Sequence, residues 1–153
     1  METGLLHLHN FLRWVIFVLL LISIAKAWSG WQHKKVFSPG DKKIWLFTMI
    51  SAHTTLLIGL YQVSFGRYGF LSASLPEGES FMKNKFFRYF WIEHPLGMLI
   101  GIVLITLAHG MAKKSVPDEV KYKKAFYYFL IALIIILASV PWPFRDIVGR
   151  PLI

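Results

Sequence analysis

Three stretches of this chain carry no charged residue: 44–66, 94–112 and 125–144. Each is long enough, or nearly so, to cross ~30 Å of hydrocarbon as a helix. A fourth stretch, 14–25, has only 12 residues between Arg13 and Lys26. It spans if its helix begins near Leu5 and both charges reach out to the interfaces. At 56% hydrophobic residues, the chain holds more apolar surface than a soluble domain of 153 residues needs. The sequence therefore predicts an all-α fold: an integral membrane four-helix bundle, one transmembrane domain over 1–153. Its helices are expected at about 5–28, 43–63, 92–112 and 124–141. The start of the chain has no basic leader and no small-residue cleavage site, so helix 5–28 is expected to stay.

The connections follow from the same pattern. Gly30, Pro39 and Gly40 mark 29–41 as a turn region. Residues 64–92 form a long connection, broken in its first half by Gly66, Gly69, Pro76 and Gly78. Its second half mixes Lys83, Lys85 and Arg88 with six aromatic residues, so an interfacial segment is expected at about 79–92. Pro95 either opens the third helix or kinks one that began earlier.

The net charge of +9 sorts by side. The connections after the first and third helices hold ten lysines against Asp41, Asp118 and Glu119, a net of +7. The other side holds seven basic residues against five acidic ones, a net of +2. Lysine and arginine bias sets orientation, so both termini are expected on the outer side and the lysine-rich connections in the cytoplasm. A multi-pass protein of the bacterial inner (cytoplasmic) membrane fits this pattern. The partner implied is the lipid bilayer with its anionic lipids, not nucleic acid. With no cysteine there are no disulfides, thiolate metal sites or covalently attached haem.

Ionisable groups inside a bilayer are functional candidates by default. His94 and His109 lie 15 residues apart on the third helix. That places them ~60° apart in azimuth and ~22 Å apart along the axis. Gly97, Gly101 and Ala108 lie on the same side, a stripe that admits a neighbouring helix or a flat cofactor. On the first helix His9 and Arg13 share a face, while His7 points elsewhere. His53 stands near the middle of the second helix, and His33 sits in a lysine-rich loop where it is only solvated.

Matching depths pairs His9 with His94 on the outer side and His53 with His109 on the inner side. Neutral imidazole pairs from two helices are the usual clamp for b-type haem in a bundle. The expected cofactor is haem b, one or two groups with two favoured. Its iron ligands would be His9, His94, His53 and His109, with Gly97 and Gly101 lining the site and Arg13 near a propionate.

The segments Leu6-His7-Leu8-His9 with Leu12-Arg13, Ala52-His53, and Trp91-Ile92-Glu93-His94 through Ile105-Thr106-Leu107-Ala108-His109 carry a resemblance. Together they resemble the small four-helix membrane cytochromes b, of the bacterial cytochrome b561 kind, and short bacterial proteins filed as "cytochrome B". The resemblance implies two b haems and electron transfer between the quinone pool and a redox partner subunit. In that family the helix with two histidines is the last one; here it is the third.

Two other readings stand beside it. His7, His9, Glu93 and His94 all lie near the outer face, and imidazoles with a carboxylate suit copper or zinc. Alternatively the histidines only pack, in a ligand-free accessory subunit of a membrane complex. No nucleophile–base set or paired catalytic carboxylates appear, so no catalytic residues are assigned beyond a quinone-linked oxidoreductase role.

Overall fold

The computed structural model describes residues 2–151, with only the backbone of Glu2. Positions 1, 152 and 153 of the expected 1–153 domain lie outside the described residues. The chain is all-helical: α1 (Glu2–Gln32), α2 (Pro39–Phe65), α3 (Lys85–Arg88), a π turn (Tyr89–Glu93), α4 (His94–Met111) and α5 (Asp118–Ser139). There is no strand among the described residues. Four helices are long and apolar enough to cross a membrane, with Lys85–Met111 counting as one. The four long helices run up and down in turn. Each packs on two neighbours, in the order α1, α2, α4, α5 and back to α1. The bundle therefore has a lysine end, at the 33–38 and 112–117 connections, and a histidine end, at the termini of the chain.

α1 and α2 overrun both of their expected limits; the third spanning helix and α5 begin earlier than expected but stop at Met111 and Ser139, short of 112 and 141. α2 begins at Pro39 because Ser38 and Asp41 form a reciprocal capping box: Asp41 N–H donates to Ser38 Oγ, and Ser38 N–H donates to Asp41 Oδ2. α5 begins at Asp118, after Pro117, with Asp118 and Glu119 complementing the dipole in its first turn. Gly30, expected in a turn, lies inside α1. A Cβ there would fall 2.5 Å from the Tyr122 ring, so the glycine admits the ring of a neighbouring helix. The expected interfacial segment at 79–92 is helical from Lys85 and runs straight into α4.

The lysine end has a filled aromatic core. Trp45, on α2, meets the Tyr122 and Phe129 rings of α5 at 6.1 and 5.7 Å, and Phe37 closes on Trp45 at 4.9 Å. The α5 residues Tyr122, Ala125, Phe129, Ala132 and Ile136 recur at helical spacing and are all buried. Polar contacts are few and local. Ser23 and Thr48 lie 2.9 Å apart between α1 and α2. Asp41 accepts from Lys26 at 2.8 Å, the Tyr122 hydroxyl at 2.6 Å and the Ser38 hydroxyl at 2.7 Å. Asp41→Ala removes all of these at once and leaves buried donors unmatched, so it should cost about 2–3 kcal/mol, less than a fully buried pair because Lys26 is 40% exposed. Thermal unfolding in detergent checks this; an unchanged midpoint would contradict the assignment of Asp41 as the polar anchor of this end.

At the histidine end the tail folds back. The Arg150 guanidinium lies 5.3, 5.0 and 5.0 Å from the rings of Tyr68, Phe86 and Phe90. Trp91 Nε1 donates to the Tyr68 carbonyl at 2.6 Å. These contacts tie the 66–84 connection and the tail to the start of the third spanning helix.

Candidate functional site

The histidine end is polar inside. His9 of α1 and His94 of α4 meet across the bundle diagonal, ring centroids 6.5 Å apart and planes at 65°. Both imidazoles are held from behind by backbone. His94 Nδ1 donates to the Ser139 carbonyl of α5 at 2.7 Å. The Thr55 backbone of α2 lies within hydrogen-bonding reach of the His9 ring. The Thr55 N–H is committed to its own helix, so the imidazole is the donor there. A carbonyl only accepts, so each neutral ring spends its one N–H on it and keeps the other nitrogen as a lone pair. His9 Nδ1 is buried and has no hydrogen-bond partner. The His94 nitrogen left over is Nε2.

Two local features place these rings. Gly59 packs beside His9: a Cβ there would make an ordinary contact, 3.4 Å from His9 Cε1. The π turn before α4 places His94. Pro95 has no N–H to give, and the His94 N–H bonds Tyr89 O instead. Bonding from i to i+5 brings residues five apart onto one face. Tyr89 thus joins His94 on the same acceptor, its hydroxyl donating to the Ser139 carbonyl at 2.6 Å. Neither Tyr89 nor Ser139 stood out in the sequence. Thr55, Gly59 and Gln62 recur at i, i+4 and i+7 on α2, a polar stripe that could have been found by spacing. Gln62 Nε2 is also buried without a partner. Arg13 lies half-buried one turn along α1 from His9, its guanidinium 5.5 Å from the Trp14 ring.

The other expected site residues are placed differently. A Cβ at Gly101 would lie 2.8 Å from Ile136, and one at Gly97 would overlap the Ser139 side chain. The close approach this stripe permits is taken by α5, against which Gly97 and Gly101 pack. His53 is exposed on the face between α2 and α4. Its Nδ1 donates to the Met49 carbonyl at 2.8 Å and its Nε2 lies 3.5 Å from Thr106 Oγ1. His109 is 5% exposed and turned into the core, its Nδ1 without a partner. Among the described residues no ring contact joins His53 to His109. Depth matching paired these two, but His53 meets Thr106, which lies ~60° in azimuth and ~4.5 Å along α4 from His109. The outer copper or zinc set does not assemble either. His7 is exposed, and Glu93 pairs with Arg88 at 2.7 Å. No group of three or more potential metal ligands occurs among the described residues.

The fold and site together define a four-helix bundle with a half-buried pair of imidazoles across its diagonal. No family model, curated protein or solved structure matches this chain.

Proposed function

We propose that this is a multi-pass membrane protein that holds one b-type haem between His9 and His94 and carries electrons between the quinone pool and a redox partner. The observation that carries the reading is the facing imidazole pair, 6.5 Å between centroids, with a lone pair left on each ring. Two imidazoles sharing one metal at ~2.0 Å per bond have centroids at most roughly 6.3 Å apart. The donor count favours haem over a bare ion. Structural zinc takes four protein ligands and catalytic zinc three, whereas haem iron takes at most two. Bound there, haem b would supply a one-electron iron couple at the histidine end of the bundle.

The chain's own residues do the rest. The Ser139 and Thr55 carbonyls fix the tautomer and direction of each imidazole. The buried Tyr89 donates its hydroxyl proton to the same Ser139 carbonyl. Arg13 supplies a positive charge one turn from His9 that would pair with a propionate. Haem titration of the purified protein tests the reading. A low-spin b-type spectrum is expected in the parent and in His109→Ala, and is expected to be lost in His9→Ala. Retention in His9→Ala would sink it.

The orientation belongs to the same proposal. The +7 lysine end faces the cytoplasm of a bacterial inner membrane, and the termini face outward. Reporter fusions at Lys35 and Ser115 should read cytoplasmic, and one at Glu77 external. A fusion at Ile153, outside the described residues, should also read external. The reverse pattern would overturn the orientation and the side given to the histidine pair.

A further inference from the structure

A cavity of about 390 Å³ opens at the lysine end, walled by Lys26 and Ser29 of α1, Lys35 and Ser38 of the connection, Asp41 of α2 and Tyr122 of α5. We propose that it is a binding site for a phosphate group, independent of the histidine pair. The donor accounting decides the sign of its ligand. Asp41 is saturated: Oδ1 accepts from Lys26, and Oδ2 accepts from Ser38 N–H, the Ser38 hydroxyl and the Tyr122 hydroxyl. The hydroxyl protons of Ser38 and Tyr122 are therefore spent on the one carboxylate in the wall. What remains unspent is ammonium. Lys35 Nζ uses one proton on Ser29 Oγ at 2.8 Å, and Lys26 one on Asp41. Each keeps two more, so the cavity offers up to four charge-assisted donors and an excess of one positive charge.

Its depth favours the headgroup of an anionic phospholipid as the source. Trp28 and Trp31 flank Ser29 on α1, and Trp28 is 47% exposed. Phe126 and Tyr127 of α5 join them, and Lys123 stands 5.5 Å over the Trp31 ring. That belt of amphipathic rings marks the level of lipid headgroups, and the cavity lies at the same level. Free phosphate would meet the same donors.

The test uses the full chain in neutral detergent micelles doped with phosphatidylglycerol or phosphatidylcholine, with retained lipid counted by native mass spectrometry. Inorganic phosphate serves as competitor. Phosphatidylglycerol should be retained over phosphatidylcholine, displaced by phosphate, and weakened roughly tenfold by Lys35→Gln. Lys43→Gln, an exposed lysine outside the cavity, should leave binding unchanged. Lys35 is exposed, so its variant is expected to fold, and its thermal midpoint verifies that. Phosphate binding that needs Lys35, without lipid retention, would identify free phosphate as the ligand of the same site. Equal losses in Lys35→Gln and Lys43→Gln, or no binding of either ligand, would overturn the proposal.

Discussion

Gly97→Val should cost about 3 kcal/mol or more and prevent α4 and α5 from closing. A Cβ at Gly97 would overlap the Ser139 side chain, and Ser139 cannot move freely because its carbonyl holds both Tyr89 and His94. Small residues let helices in a membrane approach this closely, and overfilling such a contact forces backbone shifts. Gly110→Val is the matched control, since a Cβ there meets nothing within 4 Å. It should change stability only by the small propensity difference. Ser139→Gly in the Gly97→Val background should recover part of the loss. Thermal unfolding in detergent separates the cases; equal effects at the two glycines would contradict the packing assignment.

His94→Ala should lower haem affinity by more than ~100-fold. Loss of an outer-shell partner already costs ~10–100-fold in a metal site, and His94 is assigned as a ligand. The fold should survive, because Ser139 O keeps its bond from Tyr89. Tyr89→Phe is the informative companion. It removes the other donor to the same carbonyl and should cost about 1 kcal/mol of stability while haem remains bound. If Tyr89→Phe loses haem as completely as His94→Ala, the effect comes from disturbance of the π turn and not from ligation.

Much of this was legible along the chain axis. Runs without charge gave the four long helices, and the depths of His9 and His94 made their meeting readable before any contact was known. Azimuth was harder to read. Helix rise already leaves His53 and His109 ~9 Å apart in depth, and one faces outward beside Thr106 while the other faces the core. Composition could show that Gly97 and Gly101 admit a close neighbour, but not that α5 is that neighbour. Gly30 misled for a related reason: a glycine signals a turn locally, and only the Tyr122 ring, 92 residues away, explains it within a helix. The π turn was half visible. Pro95 announced a defect in the helix, but the consequence, Tyr89 and His94 sharing one carbonyl, depends on where α5 ends.

The central claim is that His9 and His94 form one haem site. The reduced-minus-oxidised spectrum of the purified chain, read together with its haem content per chain, tests it most directly. One haem per chain is expected, with a low-spin b-type spectrum that is retained in His53→Ala. A chain that binds no haem when titrated to excess, or one whose single haem disappears in His53→Ala and persists in His9→Ala, would contradict it.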